Sequence, residues 1–252
     1  MLDIKSIPAF NDNYIWLIEN SDRRCIVVDP GDAEPVIDYL DAHELTLEAI
    51  LVTHHHNDHT GGIAKLKARD TSLTVFGPMQ SVKAIDISLA HGDEFTCLGQ
   101  TFAVLGLPGH TLDHIGYVTD QHLFCGDVLF SGGCGRVFEG SMEQMHTSLM
   151  RIASLPDETL IYPAHEYTQA NLKFALAAEP KNLALQEYWQ HCQTLRAESK
   201  PTLPTSLKKE KAINPFIRCD SAEITSSTQA RGNNSTAPLA VFTSLREWKN
   251  EF

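Results

Sequence analysis

The run Thr53-His54-His55-His56-Asn57-Asp58-His59 crowds imidazoles and a carboxylate into one short stretch. Nitrogen and carboxylate donors of this kind suit Zn²⁺, Fe²⁺ or Mn²⁺ better than a thiolate-loving ion. If the chain enters the run extended, alternation sends His54 and His56 to one side and His55 to the other. Asp58 and His59, past the end of the strand, then face a different point. Further along, His110 in Pro108-Gly109-His110-Thr111, Asp127 in Cys125-Gly126-Asp127 and His165 in Pro163-Ala164-His165-Glu166-Tyr167 each follow an apolar run. Taken singly, a strand-end histidine is as often structural as ligating. Taken together, His54, His56, Asp58, His59, His110, Asp127 and His165 exceed what one tetrahedral zinc accepts, which implies two metals sharing one carboxylate. A rival nucleophile is Cys134 or Cys125 beside a histidine, although cysteines in glycine-flanked turns are more often small buried residues.

Strands must deliver these side chains. Short runs rich in β-branched and aromatic residues occur at Tyr14 to Ile18, Cys25 to Val28, Ala49 to Thr53, Leu73 to Phe76, Thr101 to Leu107, Ile115 to Val118, Leu123 to Cys125 and Leu160 to Tyr162. Helical periodicity at Glu34 to His43, Gly62 to Arg69 and Glu143 to Leu155 alternates with them, an α/β pattern. The candidate ligands fall where strands end, the edge at which α/β sheets commonly bind. Beyond His165 the texture turns helical, at Thr168 to Ala178, Lys181 to Arg196 and Ser206 to Ala212. The polar, turn-rich stretch from Asp220 to Pro238 is expected to be a loop before a last helix at Leu239 to Asn250.

Composition narrows the partners. The 252 residues are 42% hydrophobic and 21% charged, ordinary for a globular chain, and six scattered cysteines form no C-x-x-C pair. Reduced thiols, the lack of an apolar run of membrane length and an opening segment unlike a signal peptide lead to an expectation of a cytoplasmic protein with no membrane partner. A formal charge of -12 argues against nucleic acid as a partner. It also means that an anionic substrate would need a local basic patch.

The segments from Thr53 to Gly62, Pro108 to Thr111, Gly126-Asp127, Gly133 to Gly140 and His165 to Tyr167, with Asn214-Pro215-Phe216-Ile217-Arg218, resemble the glyoxalase II family, the hydroxyacylglutathione hydrolases of the metallo-β-lactamase superfamily. The resemblance implies an α/β fold, an αββα metallo-β-lactamase-like sandwich at 1–165, followed by a C-terminal α-helical glutathione-binding domain at 166–252. It implies hydrolysis of S-D-lactoylglutathione to glutathione and D-lactate, the second step of methylglyoxal detoxification. His54, His56 and His110 would hold one divalent ion and Asp58, His59 and His165 the other, with Asp127 shared. Zinc is the first choice, iron or manganese the alternatives.

On this pattern a metal-bridging hydroxide attacks the thioester, and Asp58 both ligates and orients water. Arg136, Phe138, Tyr167, Arg246 and Lys249 would contact the glutathione thioester, a small-molecule partner met by a monomer. Two positions depart from the pattern: Arg136 stands where many members have lysine, and Phe138 where they have tyrosine. Phe138 has no hydroxyl to donate. Within the superfamily, an iron persulfide dioxygenase lacks the basic helical tail, and a nuclease would want a basic surface.

Overall fold

Strand β1 (Asp3–Ala9) runs antiparallel to β2 (Asn13–Glu19), and β2 antiparallel to β3 (Arg24–Val28). Then β4 (Thr46–Leu51), β5 (Thr74–Pro78) and β6 (Ile87–Leu89) add in parallel. Parallel neighbours require crossovers. Helix α1 (Glu34–His43) makes the first, and α2 (Asn57–Thr60) with α3 (Ile63–Arg69) the second. Positions 13 to 18 of β2 are buried without a break, because both faces of this sheet are covered. On one face Ile15, Leu17, Val27, Ile50 and Val75 form a core with Val36, Leu40, Ile63 and Leu66 of the helices. Each such side chain contributes about 1.5–3 kcal/mol by leaving water.

An antiparallel meander meets the other face: β7 (Glu94–Cys97), β8 (Gln100–Gly106), β9 (Ile115–Thr119) and β10 (His122–Gly126). Tyr117 of β9 donates its hydroxyl to the Val52 carbonyl at 2.6 Å, and Phe95 stacks on Phe76 at 4.5 Å between ring centres. These contacts fix the meander under the end of β4, where the histidine run begins. The computed structural model describes residues 2–79 and 82–252. The elements so far belong to one compact unit, 1–106 with 113–126; residues 107–112 and 127–252 form a second.

The second unit opens with a hairpin of β11 (Leu129–Phe130) and β12 (Gly133–Cys134). Helix α4 (Met142–Ala153) follows, its first turn closed by a reciprocal capping box between Ser141 and Gln144. Strand β13 (Leu160–Pro163) pairs with the short β14 (Thr205–Ser206), and between them lie α5 (Thr168–Ala178) and α6 (Leu183–Ala197). Next come α7 (Leu207–Ile213), α8 (Ala222–Gln229) and α9 (Pro238–Glu251). Leu172, Ala175, Leu185, Tyr188, Cys192 and Ile213 make the helical core. No helix among the described residues is long and apolar enough to cross a membrane.

The stretch expected to be a loop from Asp220 to Pro238 is in part helical. Its Ser/Thr-rich α8 has weak periodicity, but Ile224 and Thr228 are fully buried, and packing against α5 and α9 supplies what propensity does not.

Candidate functional site

In the first unit, β3 ends at Val28 and the next residue, Asp29, turns the chain in the left-handed region (φ 54°). Its buried carboxylate accepts from Thr53 N and Thr53 Oγ1, both at 2.7 Å, and meets His59 Nδ1 at 3.0 Å. Thr53 Oγ1, having donated to Asp29, receives His54 Nδ1 at 3.1 Å. Both imidazoles are thereby held by one nitrogen and present the other, Nε2. His54 Nε2 lies 3.0 Å from His56 Nδ1, and His59 Nε2 lies 3.5 Å from Asp58 Oδ2. Asn13 Nδ2 steadies the same Asp58 oxygen at 3.1 Å.

Donor atoms of Asp29, His54 and His59 fall within 4.8 Å of one another. Two imidazole nitrogens facing each other at 3.0 Å either share a proton or turn both lone pairs to one cation, and the donor set is the one divalent ions accept. His55 turns elsewhere, with Nδ1 3.9 Å from Asp113. Gly31 lets this loop close: a Cβ there would sit 1.8 Å from the Asp58 carbonyl oxygen.

In the second unit, Asp127 lies between two imidazoles. His165 Nε2 is 3.3 Å from Oδ1 and His110 Nε2 is 3.5 Å from Oδ2. One nitrogen beside each oxygen is the arrangement of a carboxylate able to serve two cations. The other nitrogen of His110 is fixed by the Arg136 carbonyl at 2.9 Å, and the His165 ring stacks on Tyr167 at 4.6 Å. Gly135 is needed here, since its Cβ would fall 1.9 Å from the Asp127 carbonyl oxygen.

Asp127 and His110 form part of the wall of a cavity of about 480 Å³ that Arg136, Phe138, Tyr167 and Lys249 also line. Phe138 is 62% and Tyr167 38% exposed, so both offer ring surface to a ligand. Arg246, expected on a ligand-facing helix side, is buried in the wall. Its Nη1 donates to the Cys134 carbonyl at 2.8 Å, and the guanidinium rests 5.2 Å from the Phe216 ring. Lys249 stands 5.1 Å from the Phe174 ring. Burial, with Arg246 and Arg136 acting in the same direction, lowers its pKa to about 8. None of Arg136, Arg246 and Lys249 forms an ion pair with a carboxylate among the described residues. The basic patch that an acidic chain would need for an anionic substrate is therefore present. Cys134 also lines the cavity, but burial raises its thiol pKa against the pull of Arg246, which disfavours a thiolate nucleophile.

Similarity to known proteins agrees with this inventory. Residues 9–71 and 74–165 match the metallo-beta-lactamase superfamily, and residues 166–252 match the hydroxyacylglutathione hydrolase C-terminus. The chain is 60% identical over 253 residues to a hydroxyacylglutathione hydrolase of Vibrio parahaemolyticus, covering all of both. It belongs to the hydroxyacylglutathione hydrolase family. Another such hydrolase, from Photobacterium profundum, is 52% identical, again over the whole of both chains. Among solved structures, ETHE1 from Myxococcus xanthus superposes with a TM-score of 0.66 at 26% identity, covering 99% of this chain and 98% of that one. The fold of this family member is thus the metallo-β-lactamase α/β sandwich with a C-terminal helical region, the family is one of metal-dependent hydrolases, and the chain carries histidine and aspartate groups that could hold metal.

Three residues that sequence reasoning passed over organise the site. Asp29 orients His59 directly and His54 through Thr53, and Asn13 holds Asp58. Buried His114 stacks on His54 at 4.7 Å. The one signal available for Asp29 was a carboxylate at the end of an apolar run, the same cue that flagged Asp127.

Proposed function

We propose that this chain cleaves S-2-hydroxyacylglutathione thioesters, S-D-lactoylglutathione foremost, to glutathione and the hydroxy acid, the second step of methylglyoxal detoxification. The carrying observation is the cavity whose lining combines Asp127 and His110 with Arg136 and Lys249. A ligand that carries both a reactive carbonyl and carboxylates matches that combination.

His54, His56 and His110 would hold one divalent ion and Asp58, His59 and His165 a second, with Asp127 serving both. Zinc is the first choice by donor type, with iron or manganese as alternatives. Bound there, such ions would supply Lewis-acid polarisation of a thioester carbonyl and would bring the pKa of water from about 15.7 toward roughly 7.

The chain's own groups do the rest. Asp29 and Thr53 hold His54 and His59 by one nitrogen so that the other faces the reaction. Asp58, steadied by Asn13, orients the attacking water. Arg136 and Lys249 anchor the glutathione carboxylates, the buried Arg246 reinforces the positive field, and the Tyr167 and Phe138 rings flank the chain of the ligand. The leaving thiolate has a conjugate-acid pKa of about 8.5 and departs without a general acid. Residues 1–165 carry the chemistry and 166–252 the glutathione end. With six free cysteines, the enzyme acts as a monomer in the reducing cytoplasm. Steady-state hydrolysis of S-D-lactoylglutathione, with metal content measured on the same sample, tests the reading: turnover with two ions bound supports it, and none refutes it.

A further inference from the structure

The segment Asn214-Pro215-Phe216-Ile217-Arg218 takes no part in the chemistry above, yet Asn214 is fully buried. Its Nδ2 faces the carbonyls of Phe130 at 3.1 Å and Gly133 at 3.0 Å, and Glu210 Oε2 at 2.9 Å. Glu210, also fully buried, completes the grip. Its Oε1 accepts from Ser131 Oγ at 2.9 Å and Thr205 Oγ1 at 2.8 Å, and its Oε2 accepts from Gly132 N at 2.8 Å. Each of the four consecutive residues from Phe130 to Gly133 is thus held by one of two side chains at the end of α7. The turn they form needs Gly132 at φ 67°.

The hairpin leads directly into Cys134, Gly135 and Arg136 of the cavity wall. Arg246 ties down the Cys134 carbonyl and rests over Phe216 of the same motif. Arg218 anchors the motif in turn, with Nη2 2.7 Å and Nε 3.1 Å from the Glu179 carboxylate. A carboxylate buried with hydrogen-bond donors and no cation is costly to keep. Burial pushes the Glu210 carboxyl upward against those donors. An apolar pair could fill the same volume, but it could not fix the four backbone and side-chain groups of the turn.

We propose that Glu210 and Asn214 are positioning residues that hold the β11–β12 hairpin, and with it Arg136 and the Arg246 contact, in the shape that binds the glutathione moiety. This rests on the glutathione thioester reading above. Glutamine at 210 can keep its amide oxygen toward Gly132 N and Asn214 and turn its NH₂ to the Ser131 and Thr205 hydroxyls, which can accept. Alanine at either position leaves hairpin groups buried without partners.

The test is binding of a non-hydrolysable S-alkylglutathione by calorimetry, beside steady-state kinetics, on the metal-loaded full chain. Loss of these bonds is expected to weaken binding and raise KM by about tenfold or more in folded Asn214→Ala and Glu210→Ala. Both should leave turnover of a small thioester lacking glutathione unchanged, and Glu210→Gln should restore affinity. Should the alanine variants not fold, Ser131→Ala, which removes a single hydroxyl, is expected to weaken binding about threefold. Wild-type affinity in the folded variants would overturn the proposal, as would a loss of small-thioester turnover at unchanged glutathione affinity. Failure of the wild type to bind the S-alkylglutathione would instead remove the glutathione reading on which it rests.

Discussion

The two regions that carry the candidate chemistry are built on opposite principles. Around Asp29, in the first unit, His54 and His59 are fully buried, and each has one ring nitrogen engaged by the Asp29–Thr53 pair. In the cavity of the second unit, Phe138 and Tyr167 are exposed, and three cations have no carboxylate partner among the described residues. A site for a multivalent ion tolerates little movement, because ligand geometry and second-layer hydrogen bonds set its affinity. A site for a long anionic ligand needs charge and surface more than rigid atoms. The difference predicts that substitutions in the first region lower kcat, whereas those of the cavity's cations and exposed rings raise KM.

The largest effects test the rigid side. His54→Ala or His59→Ala should cost more than about 100-fold in turnover, exceeding what loss of an outer partner costs. Residual activity near wild type in either would break the contrast. Asp29→Asn keeps the volume but offers His59 a poorer acceptor. It should reduce metal affinity or turnover about 10–100-fold, read by metal titration in parallel with rate, and an unchanged metal affinity would count against its orienting role.

The cavity is the softer side. Lys249→Ala and Arg246→Ala should raise KM for the glutathione thioester with smaller changes in kcat. Because the Lys249 pKa is lowered to about 8, its charge is present below that pH and lost above it. An anionic ligand favours the charged form, so KM should rise as pH climbs through about 8. Lys249→Arg, which stays protonated, should flatten the profile, and a profile unchanged by that substitution would remove Lys249 from the anion contact. The smallest effect is expected of Phe138→Tyr. An added hydroxyl that reaches the ligand is worth about 0.5–1.5 kcal/mol, seen as a lower KM, while no change would mean the ring serves only as surface.

The contrast also accounts for what could be read without coordinates. The histidine run was legible because its donors are nearly contiguous and follow an apolar strand, and distant His110, Asp127 and His165 share that strand-end context. Asn13 and His114 were not legible: each is one polar residue among many, and only the bond to Asp58, 45 residues away, and the stacking on His54 give them a task. The strand pattern was clear wherever burial on both faces makes long apolar runs, as in β2 and β3. It failed at β1, an edge strand with Lys5, Ser6 and Pro8, and at the two-residue strands β11, β12 and β14, which are held largely by tertiary contacts. Helix α8 was hidden by its serines and threonines for the same reason. Arg246 illustrates a further limit, since periodicity marks a helix face but not which cation on it is drawn into a wall.

The most direct measurement is hydrolysis of S-D-lactoylglutathione by the metal-loaded protein, followed by loss of the thioester with glutathione and D-lactate quantified as products. The account predicts equimolar release of both products, abolished by Asp127→Ala. Absence of thioester loss in wild-type protein carrying two bound divalent ions would contradict it.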